Sequence, residues 1–486
     1  MTRTPSLQTI ERMADVVGPK GVLRSPGDKA PYLKEWRGLW TGDTPIVLRP
    51  QSTIETSRIL AIAHETETAI VPQSGNTGLV GGQIPNAGEV LLSLDRMTRI
   101  VTVDATDFTL TSEAGATLKS VQDAAEAKDR LFPLSLASEG TCRIGGNLST
   151  NAGGLNVLAY GSARDLCLGL EVVLADGRVL NMLKSLRKDN TGYDLRNMFI
   201  GAEGTLGIIT AATLKLFPRP RRYNTVLVAV PSPAAALELL SRAKEASGNR
   251  VVAFELIPEI GVQFTVKHMN ARRAVDTISP WYVLFELADA AEGIAGPLLE
   301  VAIENGIVLD GVIAQSETQR RELWALRENM SESQKFEGGS IKHDVSVPVS
   351  KLPEFIAEAS TAVETFQPGV RICCFGHMGD GNMHFNVSQP VGMDKQVYLA
   401  RWHDMNRVVH DIVMKHSGSF SAEHGIGVLK REDMLRYKSA VELEVMRSLK
   451  QMLDPKGILN PGRVLGIRLP VLRGSQGHAP QHEGQL

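Results

Sequence analysis

The chain has 486 residues, 43% of them apolar and 22% charged, with a net charge of −2. These are the proportions of a globular protein of about three ordinary domains or two large ones. The near-neutral balance gives no reason to expect nucleic acid or an anionic membrane as partner. The cysteines, Cys142, Cys167, Cys373 and Cys374, form no C-x-x-C pair, which argues against a disulfide framework or a cysteine zinc site and suits a reducing compartment. No run of about eighteen apolar residues suggests a spanning helix. The first residues lack the apolar core of a signal peptide, and Glu11 and Asp15 come early for a transit peptide, so the expected location is cytoplasmic.

In chain order, residues 1–40 read as a helix and a loop. Residues 41–220 carry short strand signals at 69–72, 90–94, 100–103 and 170–174, alternating with helical stretches at 55–66 and 117–128. Ala175-Asp176-Gly177 between apolar runs predicts a hairpin. Phe217-Pro218-Arg219-Pro220 stops regular structure and marks a boundary. Residues 221–420 alternate strands at 225–230, 251–257 and 281–287 with helices at 233–246, 292–304, 317–329 and 353–365, in the manner of a split β-α-β arrangement. A long amphipathic helix is expected at 398–416, a C-terminal part at 421–467 and a polar, disordered tail at 468–486. The fold class is α+β.

Three Gly-rich segments lie in the first of these regions: 74–82, 145–154 and 201–207. Glycine has no Cβ, so successive N–H groups can turn toward one anion. One such segment reads equally well as a tight turn; three together favour a bound pyrophosphate. Neither G-x-G-x-x-G opening a helix nor G-x-x-x-x-G-K-[ST] occurs. A dinucleotide would therefore sit in a fold other than a Rossmann or Walker type.

The second informative stretch is Phe375-Gly376-His377-Met378-Gly379-Asp380-Gly381-Asn382-Met383-His384-Phe385-Asn386, with Glu423-His424 beyond it. Taking Asp380-Gly381 as a two-residue turn makes His377 and His384 direct cross-strand partners about 5 Å apart, with Asn386 on the same face. The pair reads either as a chelate for a divalent ion or as two surface histidines beside a turn. Glu423 would complete a two-His-one-carboxylate site. His424 is then either a base or a histidine bonded to backbone. Arg327, on a helix, reads as a solvated arginine or a carboxylate clamp, and Lys342 as a strand-edge lysine or a second clamp.

Pro72-Gln73-Ser74-Gly75-Asn76-Thr77-Gly78-Leu79, Gly145-Gly146-Asn147 with Thr150-Asn151-Ala152-Gly153-Gly154, and Gly201-Ala202-Glu203-Gly204-Thr205-Leu206-Gly207-Ile208-Ile209 resemble the FAD loops of the vanillyl-alcohol-oxidase, or PCMH-type, flavoproteins. The C-terminal Gly457-Ile458-Leu459-Asn460-Pro461-Gly462-Arg463 matches the same family, and the nearest branch is the D-2-hydroxyacid dehydrogenases, closest to those acting on D-2-hydroxyglutarate. The resemblance runs from about residue 40 to 467. It implies a PCMH-type FAD-binding domain, an antiparallel-sheet substrate domain and a C-terminal helical part returning to the flavin. It implies FAD contacts from Pro72, Ser74, Gly75, Asn76, Thr77, Gly78, Leu79, Ser138, Gly140, Thr141, Gly145, Gly146, Asn147, Thr150, Ala152, Gly153, Glu203, Gly204, Gly207, Ile208, Ile209 and Asn460. No histidine stands in the first loop where some members attach flavin, so the FAD is expected to be noncovalent.

By the same resemblance His377, His384 and Glu423 hold a divalent metal, zinc by expectation. Arg327, Ser331, Lys342, Asn386 and His424 meet the substrate, and His424 is the catalytic base. The branch often has Thr at the place of Ser331. The implied activity is oxidation of D-2-hydroxyglutarate, or D-malate, to the 2-oxoacid, with electrons passing to an electron-transfer flavoprotein or a quinone. A D-lactate or other monocarboxylate dehydrogenase is the alternative within the class; a metal-dependent hydrolase and a noncatalytic nucleotide-binding module lie outside it. A homodimer is the expected assembly.

Overall fold

The computed structural model describes residues 4–288 and 293–465. The expected tail at 468–486 lies outside them, as does the first residue of the helix expected over 292–304, which is seen as Ala295–Glu304. The chain is an α+β protein built on three main sheets.

The first sheet has four strands, ordered Val22–Leu23, Val47–Leu48, Val90–Ser93 and Ile70–Gln73. The inner pairings are parallel, and the outer Val22–Leu23 strand is antiparallel. Residues 1–40 therefore hold more than a helix and loop. They carry helices Leu7–Val17 and Pro26–Leu33, and their short strand completes this sheet. The helix Thr53–Thr66 is started by Ser52, whose hydroxyl accepts the Glu55 N–H at 3.2 Å and satisfies an orphan donor of the first turn. Its Ile59, Leu60 and Ala63 pack into the same core as Ile70, Val90 and Leu92.

The second sheet has five antiparallel strands within 100–215. The predicted Asp-Gly hairpin joins Cys167–Val173 to Val179–Met182. Its loop spans Ala175–Gly177, with Gly177 at φ +87, the left-handed residue that a three-residue hairpin needs. Both sheets share one core. Ile458 and Leu459 complete it: the Ile70 N–H donates to the Ile458 carbonyl at 2.8 Å, and Leu459 bridges to Ile70. The far end of the chain thus returns to the Gly-rich half.

The third sheet is fully antiparallel and seven-stranded. Its order is Asp310–Ile313, Tyr223–Val230, Trp281–Ala288, Val251–Pro258, Arg371–His377, Asn382–Ser388, Ser340–Ser346. One face buries Val228, Phe254, Phe285, Cys374 and Phe385 against helices Pro233–Ser247, Leu352–Phe366 and Trp402–Lys415. The other buries Ala253, Ile257, Leu284, Cys373 and Phe375 with Leu323, Trp324 and Met330. The helix expected at 398–416 is interrupted at 400–401 and seen as Lys395–Leu399 and Trp402–Lys415. Among the described residues, no helix is long and apolar enough to cross a membrane.

Candidate active site

A cavity of 520 Å3 opens between the Gly-rich loops. Every residue expected to hold the cofactor lines it except Gly140. The Thr141 N–H donates to the Ser138 carbonyl at 2.8 Å, and this tight turn leaves Gly140 at its outer corner, exposed and facing open space. Trp36, Leu136 and Arg143 also line the cavity and carried no such sequence signal.

The glycines act in two ways. Gly75 faces Cys142 and Gly145 faces Ala114, where a Cβ would approach to 2.8 Å in each case, so these two let neighbouring segments press together. Gly204 has φ +69, and a Cβ there would meet the Pro72 ring at 2.5 Å. Gly146 lines the cavity beside Ser74, where an added Cβ would meet the Ser74 Cβ at a tight 3.3 Å. Around the same space Ser74 Oγ, Asn147 Nδ2 and Asn460 Oδ1 are buried with no hydrogen-bond partner among the described residues. Such orphaned polar atoms are costly unless a polar ligand pairs with them. A cavity with backbone-lined walls and unpaired donors and acceptors fits a dinucleotide.

Glu203 lines the cavity, but its carboxylate is spoken for. It accepts the Ile426 and Gly427 N–H groups at 2.7 and 2.8 Å and so clips the C-terminal segment over the Gly-rich loops. Burial pushes its pKa up against the pull of those two donors.

The third sheet supplies the remaining groups on one face. Lys342 stands opposite Asn386, which stands opposite Cys373; Asp344 stands opposite His384, which stands opposite Phe375; His377 stands opposite Glu255. The expected register, with His377 facing His384, is corrected by two residues: Phe375 faces His384. The connection is the four residues 378–381, not a two-residue Asp-Gly turn, with Gly381 at φ +88 and the Asp380 N–H on the His377 carbonyl at 3.2 Å. A slip of two keeps side chains on their face. The two imidazoles still meet, with ring centroids 5.5 Å apart at 78°.

Glu423 completes the cluster. Its Oε1 lies 3.8 Å from His377 Nε2, and ligand atoms of His377, His384 and Glu423 all lie within 4.8 Å of one another. Asp344, Glu423 and His424 form a second such group. Asp344, however, is saturated by donors. Its Oδ2 accepts the Glu423 and His424 N–H groups at 3.0 and 2.9 Å, and its Oδ1 accepts Asn382 Nδ2 at 3.1 Å. Asp344 therefore brackets the 423–424 backbone, and the His377 group, two imidazoles and a carboxylate, is the one whose donor set suits a divalent ion.

Charges in this layer oppose burial. Burial raises the Asp344 carboxyl, but His424, Lys430 and His384 outweigh it and hold the acid well below the usual range. Burial lowers His377, yet the charge and hydrogen bond of Glu255 lift it to about 9. Burial lowers His424, partly offset by Asp344 at 3.4 Å from Nδ1, which favours the uncharged ring. Burial also lowers Lys342 to about 8, reinforced by Arg37 and Lys335.

Arg327 is not solvated; it is buried, its Nε donates to Glu255 Oε2 at 2.7 Å, and its guanidinium lies 4.6 Å from the Phe375 ring centre. The Lys342 ammonium donates to the Ser331 carbonyl at 3.3 Å, and Asn386 is buried beside it. Arg327, Lys342, Asn386, His377 and His384 are absent from the wall of the 520 Å3 cavity, whereas Glu423 and His424 belong to it. The two histidine-side groups and the Gly-rich cavity thus meet at one dipeptide.

Joined to two family matches, these features belong to an FAD-dependent dehydrogenase. Residues 44–183 match the family described as "FAD binding domain", and residues 219–464 match "FAD linked oxidases, C-terminal domain". The chain belongs to the D-2-hydroxyglutarate dehydrogenase family of these FAD-dependent dehydrogenases. It is 39% identical to the "Probable D-2-hydroxyglutarate dehydrogenase, mitochondrial" of Oryza sativa subsp. japonica, over 93% of this chain and 80% of that one. It is 38% identical to the "D-2-hydroxyglutarate dehydrogenase, mitochondrial" of Bos taurus, over 94% and 83%. In fold it resembles p-cresol methylhydroxylase with substrate bound, with a TM-score of 0.75 and 17% identity over 95% of this chain and 96% of that one.

Proposed function

We propose that the protein oxidises a D-2-hydroxyacid, preferentially a dicarboxylate such as D-2-hydroxyglutarate or D-malate, to its 2-oxoacid. The observation that carries this reading is the double membership of Glu423 and His424, which line the dinucleotide cavity and stand in the titratable cluster on the third sheet. When bound, FAD supplies the hydride acceptor, and a divalent ion held by His377, His384 and Glu423, zinc by its donor set, supplies a Lewis acid that lowers the pKa of the substrate hydroxyl.

The chain's own residues do the rest. Asp344 stands beside His424 Nδ1, which leaves Nε2 to accept the hydroxyl proton. Burial keeps that ring neutral and ready to do so. Arg327, turned by Glu255, offers its terminal nitrogens to a carboxylate, and Lys342 with Asn386 offers a second anchor. Two cations for one acid group favour a substrate with two. The FAD is noncovalent in this reading, and the reduced flavin passes its electrons to an electron-transfer flavoprotein or a quinone.

The test is a comparison of kcat/KM for D-2-hydroxyglutarate, D-malate and D-lactate, with metal stripped and restored. The dicarboxylates should lead, and stripping should depress all three. A preference for D-lactate would overturn the dicarboxylate reading, and rates indifferent to chelation would remove the metal.

A further inference from the structure

Glu255 has entered so far only as a neighbour of His377 and of Arg327, yet it is the most completely enclosed acid near the site. It sits in Val251–Pro258, a strand whose every residue is buried and otherwise apolar from Val251 to Ile257. A carboxylate in such a strand is kept only when it is paired.

Its two oxygens go to different partners. Oε1 lies 2.6 Å from His377 Nδ1, and Oε2 accepts Arg327 Nε at 2.7 Å. An ionised carboxylate only accepts, so Nδ1 carries a proton, and Nε2 is the nitrogen left to bind a metal once it gives up its own. Nε2 is the atom 3.8 Å from Glu423 Oε1. On the other side, using Nε for Glu255 leaves the two terminal nitrogens of Arg327 without a hydrogen-bond partner among the described residues. The guanidinium lies over Phe375, which stands opposite His384. The bridge rests on paired strands, with Glu255 directly across from His377, so it is set by sheet register.

We propose that Glu255 is a positioning residue that fixes both the ligand nitrogen of His377 and the fork of Arg327, and thereby ties metal binding to substrate-carboxylate binding. This rests on the reading of His377, His384 and Glu423 as metal ligands. Carboxylates behind a ligating histidine fix its tautomer and raise its basicity, and their loss typically costs about 10–100-fold in metal affinity.

The experiment uses FAD-loaded full-length protein and zinc as the probe. Apparent zinc affinity is measured by competition with a chelator, KM is measured with D-2-hydroxyglutarate, and FAD content is recorded for each variant. In Glu255→Gln the amide nitrogen must face a donor, and in Glu255→Asp the shortened side chain cannot span both partners. Each is expected to weaken zinc by roughly 10–100-fold and to raise KM, with FAD content unchanged. Arg327→Met is expected to raise KM while leaving zinc affinity within about threefold, because it removes one arm of the bridge only. His384→Ala separates the two levels. If it loses zinc while both Glu255 variants bind zinc as the wild type does, the Glu255 inference falls and the metal site stands. If it binds zinc like the wild type, the metal site and the inference built on it fall together.

Discussion

Lys342→Met should make the protein more stable and less active. The ammonium of Lys342 reaches only the Ser331 carbonyl, and among the described residues no carboxylate lies within ion-pair distance of it. Burial, with Arg37 and Lys335 nearby, brings its pKa from 10.5 to about 8. Each unit corresponds to about 1.4 kcal/mol, so the shift is worth roughly 3 kcal/mol at most. Solvent screening of a half-buried side chain reduces this to about 1 kcal/mol. A neutral side chain of similar length removes that penalty, which should raise Tm by about 1–2 °C in a protein of this size. The penalty is full below about pH 8 and fades as pH rises toward 10.5, because in that window the unfolded chain holds the proton and the folded chain has lost it. The Tm gain should follow the same course. Meanwhile the loss of a charged hydrogen bond to substrate should lower kcat/KM for D-2-hydroxyglutarate roughly 10–100-fold. Differential scanning fluorimetry from pH 7 to 10 and steady-state kinetics read the two effects. A variant that is less stable and equally active would make Lys342 a structural lysine and refute the reasoning.

Other substitutions probe the remaining groups. Arg327→Ala should hurt the dicarboxylate more than D-lactate; equal losses would place Arg327 at the carboxylate the two substrates share. His424→Asn should slow flavin reduction by about 100- to 10,000-fold with FAD and metal retained, and an unchanged rate would take the proton elsewhere. Gly146→Val should lower FAD content, since its side chain would fill the cavity beside Ser74, and acid precipitation of the wild type should leave the flavin in the supernatant. Full occupancy in the variant, or flavin in the pellet, would contradict the cavity's assignment or the noncovalent reading respectively.

The loops of the cofactor cavity were legible because glycines crowd where backbone must pass close to backbone or ligand. Gly140, carried by the resemblance alone, is the one expected contact that does not line the cavity and sits at the outer corner of its turn. The pairing of His377 with His384 was legible as a shared face and misread in register. Asp-Gly suggested the shortest turn, whereas the strands separate earlier and a four-residue connection intervenes. Asp344 was hidden because its partners lie 79 and 80 residues away. Glu255 did leave a signal, a single acid inside an apolar strand, which requires a charged partner; it could not say that the partner was 122 residues on. Arg37 and Trp36 lie in a segment that reads as a featureless loop, and only the folded chain brings them to the site.

The central claim is hydride transfer from a D-2-hydroxyacid to FAD at the Glu423-His424 junction. It is tested most directly by mixing oxidised, zinc-loaded protein with D-2-hydroxyglutarate without oxygen and following the visible flavin band. One equivalent of substrate should bleach the band and release one equivalent of 2-oxoglutarate, while the L enantiomer leaves it intact. A band that persists with the D acid, or that bleaches equally with both enantiomers, would contradict the account.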